Sequence, residues 1–569
     1  MFVSIYPSLF FDLLLCSACS SILYVVLRIS RTTRRSHFRG IPGPLPKSYI
    51  TGNLSQLFNA KGLPFHDDLT RLYGDVVKVY GFFGDEQLYI SDPRALQSII
   101  VKDQDSFEET TTFIETNKLI FGEGLVATVG DHHKRQRKIV SPAFSVPQLR
   151  KLVPKLYDVA HRLSDAVGKE IEGSSEVLDM AQWMSRVALE SVGQAVLGYS
   201  FDPLNSPSNN PYTKAIRELI PALFRVSLIR QFAPFISRIG SPAFRRKLVD
   251  ITPNATVQKI KMMSDVMYDT AKDILRDKKD TFSGSKDAHE QTHDPKDIVS
   301  ILLGQNKGST AEEQLSDEEL IGQMTVLIFG AQDTTSSALS RILFMLATHP
   351  IVQDNVRHEI QQARSRESNT RLNDDNICYD QLLSLPWLDA VIKETLRLYP
   401  PVPFVRRTAT ETCNVPLSTP IKPSDPTQGQ PRTALTIPKG TTLFVSIVAP
   451  NRSPSIWGPD ALEWRPERWL SAQSLGSGHR DEMMRLPGIY SGMLTFLGGG
   501  RSCIGYKFAQ IEMKVILATL LSRFSFFTTS DQIVWNLSQI ISPSVQKTDI
   551  NGCLFELQGM PLLVKHVVG

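Results

Sequence analysis

The stretch Phe496–Glu512, "FLGGGRSCIGYKFAQIE", sets one cysteine among four glycines and one arginine and then takes up a helical pattern. A thiolate that bonds a metal needs deprotonation in a dry site, which calls for backbone N–H donors, and glycines let the backbone approach without side-chain clashes. Gly498, Gly499, Gly500 and Gly505 are spaced to do this, while Phe496 and Ile504 are apolar enough to keep water from the sulfur. A helix starting just after the ligand also turns its positive end toward the developing negative charge. No histidine or second cysteine stands near Cys503, which excludes a four-ligand structural zinc site. A haem iron, held in plane by its porphyrin, wants one such ligand. Taken alone, however, Cys503 reads first as a buried free thiol at a tight turn.

A second set of reactive residues lies on a long apolar helix. In "LSDEELIGQMTVLIFGAQDTTSSALSRILFMLATHP", Ser316 is the cap, Glu319 its capping-box partner, and Pro350 stands past the far end. The centre, "GAQDTT" (Gly330–Thr335), is out of place in a buried helix. One Asp and two Thr gain nothing there unless a wet cavity adjoins and the backbone opens locally. Hydroxyls that bond back to the preceding turn are the plainer account, and it stays open for Thr335. Elsewhere, "KETLR" (393–397) puts Glu394 and Arg397 on one helical face, a spacing that most often makes a surface ion pair.

These residues need a frame. The chain has 569 residues, 42% hydrophobic and 21% charged, with a net charge of +4, which suits a large globular body and gives no reason to expect nucleic acid. Its six cysteines form no disulfide framework, so the body is expected in a reducing compartment. Residues 5–27, "IYPSLFFDLLLCSACSSILYVVL", are long enough to cross a bilayer, and arginines follow the apolar run, so a membrane anchor over 1–27 with the body in the cytosol is expected. A basic, Pro-rich linker over 28–46 ends in "GIPGPLP", whose three prolines make a stiff elbow. Residues 47–569 read as one catalytic domain, mostly helical with a few strands. Asp75–Ser91 reads as a hairpin, and Asp92 caps a helix with Pro93 in its first turn. Polar stretches at 282–297, 418–433 and 471–485 read as surface insertions.

The set Phe496, Gly499, Arg501, Cys503 and Gly505, with Ala509 and Glu512 downstream, resembles the haem-binding signature of the cytochrome P450 family. The resemblance extends over most of the chain. Gly330–Thr335 is similar to the family's oxygen-activation motif, with Asp333 and Thr334 as its acid and alcohol. Glu394 and Arg397, with Arg468 of "WRPERW", resemble its buried salt-bridge triad. The resemblance implies a mainly α fold with a minor β-sheet component, the cytochrome P450 fold, carried on a single-pass N-terminal anchor. It implies haem b (iron protoporphyrin IX) held by Cys503, with Phe496 beside it. Arg501, Arg137 in "HHKRQRK" and Arg406 in "PPVPFVRR" are the expected propionate contacts. His133 stands where the family commonly has Trp; it can still donate to a propionate, and a solvent-facing place in a basic run is its other reading.

The implied activity is a monooxygenase that inserts one oxygen atom from O2 into a lipophilic small molecule. Fungal members have similar long insertions, which points to secondary metabolism such as terpenoid biosynthesis. No dinucleotide fingerprint follows a predicted strand, so electrons from NADPH are expected through a separate NADPH-cytochrome P450 reductase, with cytochrome b5 as a further donor. Lys134, Arg135, Lys138, Lys507 and Lys514 would form a basic patch on the thiolate side for that partner. The implied location is the endoplasmic reticulum membrane. Two rivals remain: a haem-thiolate isomerase or lyase acting on a hydroperoxide, which tends to lack the acid–alcohol pair, and a non-enzymatic haem sensor or carrier.

Overall fold

The computed structural model describes residues 37–171, 173, 175–204, 211–284, 297–308, 310, 313–368, 376–421, 431–470, 486–549 and 552–567. The expected anchor, the start of the linker, residues 471–485 and much of the other two polar stretches lie outside them. Among the described residues no helix is long and apolar enough to cross a membrane. The rest is mainly helical with small sheets. Seven helices position the site: α1 (Thr111–Phe121), α2 (Gly130–Val140), α3 (Val146–Glu170), α4 (Met180–Val192), α5 (Asp317–Thr348), α6 (Pro386–Leu398) and α7 (Tyr506–Arg523).

Helix α5 is the spine. Ser316 accepts from the Glu319 N–H and the Glu319 carboxylate accepts from the Ser316 N–H, so both ends of the capping box are closed. Its 32 residues carry it about 48 Å, through the core. Helix α4 packs along it, and α7 packs on α3 and is buried on nearly every side from Ile511 to Leu521. Pro350 does more than follow α5, because it opens the next helix, Pro350–Ser368.

The main sheet has five strands: β1 (Val76–Tyr80), β2 (Glu86–Ile90), β3 (Phe107–Glu109), β4 (Phe404–Ala409) and β5 (Thr442–Ser446), in the order β1-β2-β5-β4-β3. The predicted hairpin is β1–β2, antiparallel with Val76 opposite Ile90. Asp92 caps Pro93–Gln97 by accepting from the N–H groups of Arg94 and Ala95. The elbow is fastened to the sheet: the Lys78 N–H donates to Pro42 O at 2.8 Å, and a Cβ on Gly43 would meet Lys78 O at 1.9 Å. The ends of the 418–433 stretch are strand, Cys413–Ile421 pairing with Arg432–Ile437.

Candidate functional site

Cys503 sits between a 3-10 turn at Gly499–Arg501 and the start of α7. Its N–H donates to Phe496 O at 2.9 Å, which folds the loop back on itself. Leu497 takes a left-handed φ of 56°, a strained state for a γ-branched residue that this closed loop maintains. Three of the glycines work differently from the sequence expectation. A Cβ on Gly499 would meet Ile100 O at 2.1 Å, one on Gly498 would meet Pro487 O at 1.9 Å, and one on Gly500 would press on the Gln104 side chain at 3.0 Å. They let the loop pack on Ile100–Gln104, while Gly505 alone directs an N–H at the sulfur.

The sulfur opens onto a cavity of about 330 Å³. Cys503 therefore has exposed surface, but that surface is cavity wall; burial pushes its thiol pKa up, and the Gly505 N–H and the Arg137 cation pull it down. Phe496, Ile504 and Phe508 line the cysteine side. Helix α5 supplies the other side through Val326, Gly330, Ala331, Thr334 and Thr335. Arg137, Arg501 and His133 also line it. Arg137 donates to Ser502 O at 2.9 Å and Ser502 Oγ at 3.1 Å, which ties α2 to the cysteine loop. Arg501 donates to Thr128 O at 2.9 Å and pairs with Glu108 at 2.7 Å. His133 is 6% exposed, and burial, with Arg501 and Arg137 next in effect, lowers its pKa to about 4. Its ring is therefore neutral and faces the cavity rather than solvent.

Cys503, Phe496, Arg501, Arg137, His133 and Thr334 thus line one space. Arg406 is not among its walls, which corrects the sequence expectation. Side chains alternate along β4, and Val405 lines the cavity, so Arg406 faces away and donates to Gln231 Oε1 at 2.9 Å. Arg407 shares Val405's side and pairs at 2.7 Å with Glu109, a cavity-lining carboxyl that burial pushes up. The strand period, once β4 is recognised, is the signal that selects Arg407. Glu109 has no such signal.

Helix α5 divides the acid from the alcohol. Asp333 lines a separate cleft of about 80 Å³, together with Ser336, Ser337 and Ser340. The Thr334 hydroxyl donates back to Gly330 O at 2.6 Å, the local bond that sequence reasoning left open for Thr335 instead. The buried Thr335 hydroxyl turns toward Glu512 without closing a well-formed hydrogen bond. Beside it lies Glu512, fully enclosed, whose carboxyl burial pushes well above its usual range against the hydroxyls of Thr335 and Ser191.

The charged residues of α6 are interior. Arg397 forks onto Glu394 at 2.8 and 2.9 Å with both side chains at 0% exposure, and Arg468 reaches the same carboxylate at 3.4 Å. The Trp469 indole N–H and the Arg465 N–H also donate to that carboxylate. The basic patch fares otherwise. Lys134 pairs with Asp105, Arg135 with Glu319 and Lys138 with Glu313, while Lys514 is buried against Asp389 at 2.9 Å. Lys514 therefore belongs to the interior, and the three α2 cations are largely neutralised.

A sequence model described as Cytochrome P450 matches residues 42–546. The chain is 42% identical over 526 residues, 92% of its length and 94% of the relative's, to Cytochrome P450 monooxygenase 91 of Postia placenta. It is 40% identical over 514 residues, 90% and 92% of the two chains, to Cytochrome P450 monooxygenase 212 of the same fungus. A ganoderic acid synthetase of Ganoderma lucidum is 39% identical over 516 residues, 90% of this chain and 92% of that one.

Proposed function

The chain belongs to the cytochrome P450 family and is an enzyme of the monooxygenase class, and from that premise we propose that it oxidises a lipophilic small molecule, terpenoid-like in its bulk, with electrons from NADPH through a separate reductase. One observation carries this reading: the Cys503 sulfur and the Gly330–Thr335 segment of α5 line one largely apolar cavity, with the arginines Arg137 and Arg501 in its wall. The donor set fits a haem. It offers one thiol with an N–H and a cation close by, apolar walls on the two sides, and guanidiniums for two propionates.

Haem, when bound, supplies the activation of O2. Cys503 would hold its iron, Arg137 and Arg501 its propionates, and neutral His133 would offer an N–H. Phe496 and Ile504 exclude water from the sulfur. Thr334, whose proton is engaged by Gly330 O, presents its oxygen lone pairs to the cavity and so orients a water there. Asp333, on the cleft side of the same helix, is the acid that would pass protons toward that water. Apolar Val326, Leu327 and Phe113 favour a substrate with few charges in its body. The name of the Ganoderma relative supports a role in terpenoid secondary metabolism. The apolar stretch at 5–27 supports a single-pass anchor in the endoplasmic reticulum, with reductase and cytochrome b5 as membrane-bound partners.

The test is the absorption spectrum of the reduced protein with carbon monoxide. A red-shifted thiolate band is expected in the full-length protein and lost in Cys503→His, because imidazole donates less to iron. A wild type without that band, or a histidine variant that keeps it, sinks the assignment. Thr334→Ala should keep the band but send reductase electrons to hydrogen peroxide, lowering product per NADPH by on the order of 10². An unchanged ratio removes Thr334 from the proton path.

A further inference from the structure

Arg230 and Arg406 are cations with no described carboxylate in contact; Asp85 acts on Arg406 only from beyond ion-pair distance. Arg230 ends the short helix Ser227–Arg230, and Arg406 lies on the face of β4 turned away from the haem cavity. Their polar partners are neutral amides: Arg406 Nη1 donates to Gln231 Oε1 at 2.9 Å, and Arg230 Nη1 to Gln539 Oε1 at 3.3 Å. Arg406 bonds the residue next to Arg230, and the Arg230 cation is near enough to lower the Arg406 pKa. Both side chains are half-buried, and each Nε is fully enclosed and bonds to nothing. No described carboxylate lies within ion-pair distance of either, and burial draws both pKa values down to about 10. The Arg406 guanidinium is floored by aromatic rings, Phe444 at 5.2 Å and Phe58 at 5.6 Å.

Enclosing a guanidinium without an anion costs several kcal/mol, and two side by side add repulsion. Arg186, Arg397 and Arg468 close on carboxylates in the interior, and Arg341, which has none, is covered by the Trp535 and Tyr399 rings; Arg230 and Arg406 keep guanidinium nitrogens that neither an anion nor a hydrogen-bond acceptor meets. Next to Gln231 in the chain the surface is apolar: Phe232 packs on Phe82 at 5.4 Å and is 44% exposed, and Phe235 beyond it is 66% exposed. Val405, the residue before Arg406, is a wall of the haem cavity.

We propose that Arg230 and Arg406 together bind the carboxylate of a lipophilic acid, so that the substrates of this enzyme are acids whose apolar body is oxidised while their carboxylate is held outside the haem cavity. Two guanidinium forks offer paired N–H donors to a planar carboxylate, which an ester or an alcohol of the same shape cannot match in charge. The inference rests on the monooxygenase reading for the word substrate, whereas the binding site itself does not.

The test uses the full-length haem-loaded protein in detergent, with oleic acid and methyl oleate as probes in equilibrium dialysis. Wild type should bind the acid at least about tenfold more tightly than the ester, the worth of one or two charge-assisted hydrogen bonds. Arg230→Gln and Arg406→Gln should each erase the difference while leaving ester binding and the carbon monoxide spectrum unchanged. Equal binding of acid and ester by wild type overturns the proposal and needs no variant. So does a preference that survives both substitutions. A third result would also overturn it: variants that keep the preference for the acid but lose binding to phosphatidylserine vesicles relative to phosphatidylcholine ones, since the pair would then read a lipid headgroup. The carbon monoxide band, recorded on the same samples, reports separately on the haem-thiolate assignment.

Discussion

Arg397 and Arg468 lie in one part of the molecule, Arg230 and Arg406 in another, and the two pairs are handled in opposite ways. The first pair closes on Glu394 with 2.8–2.9 Å bonds from Arg397; Arg397 also donates to Asn451 O and Ala461 O, and Arg468 to Asp460 and Trp457 O. The second pair meets only amides and rings. Near it the fold also avoids charge where it can: His66, fully buried, stacks on Phe404 at 4.7 Å and gives one ring nitrogen to Leu57 O at 3.0 Å. Burial alone is thus a poor guide to role. A buried cation whose donors are answered holds a fold together, whereas one without an anion is either covered, as Arg341 is by the Trp535 ring, or left for something that binds.

The largest effect should come from breaking the answered set. Glu394→Gln leaves two interior guanidiniums facing a neutral amide, which should cost about 3–5 kcal/mol. Urea unfolding of the haem-loaded protein followed by fluorescence measures it. A loss below about 1 kcal/mol would mean that the carbonyl acceptors alone carry the two arginines, and the contrast between the regions would fall.

How much of this was legible in the sequence follows the range of the contacts involved. The hairpin β1–β2, the Asp92 cap and the capping box of α5 depend on residues within one or two turns of one another, and they form where the pattern put them. Cys503 and its motif partners were legible for the same reason. The role of Gly498–Gly500 was not, because the surface they pack against, Ile100–Gln104, is nearly 400 residues away in the chain. The basic run of α2 looked like a patch because its partners Glu313 and Glu319 come from a distant segment. Arg406 and Arg407 were indistinguishable by type, and a one-residue phase in β4 separates a cavity neighbour from a residue on the opposite face. Thr334 and Thr335 exchanged their expected bonding for a similar reason, since rotation about one helix decides which hydroxyl meets the preceding carbonyl.

A smaller effect, of the opposite kind, should appear with pH. His66 has a pKa lowered to about 4 by burial, against 6.5 in the unfolded chain. Above pH 6.5 both states are neutral and nothing changes. Between 6.5 and 4 the unfolded chain takes up a proton that the folded one refuses, so stability falls as pH falls, by about 3 kcal/mol at pH 4. His66→Phe, which keeps a ring on Phe404, should remove that share of the loss. Urea midpoints at pH 7 and pH 4.5 in the two proteins give the answer; parallel declines would mean that His66 accepts its proton in place, and that this region tolerates charge after all.

The smallest change should follow from deleting the unanswered charge. Arg406→Met removes one hydrogen bond to Gln231 and the contact of the guanidinium with Phe58 and Phe444, but it also removes a cation that folding strips of water without a counter-ion. Methionine refills the space along the aromatic floor with a flexible apolar chain of similar reach. The two contributions oppose each other, so the variant should unfold within about 1 kcal/mol of wild type, with any bias toward greater stability. Arg397→Met, whose partner Glu394 is left buried and unpaired, should by contrast lose about 3–5 kcal/mol. Adding oleic acid sharpens the comparison further. A ligand that binds only the folded state stabilises it in proportion to the logarithm of its saturation, so the acid should raise the urea midpoint of wild type more than methyl oleate does, and that of Arg406→Met no more than the ester does. If Arg406→Met instead proves as damaging as Arg397→Met, the cation is already neutralised within the fold, and Arg230 and Arg406 are a structural pair like the other one.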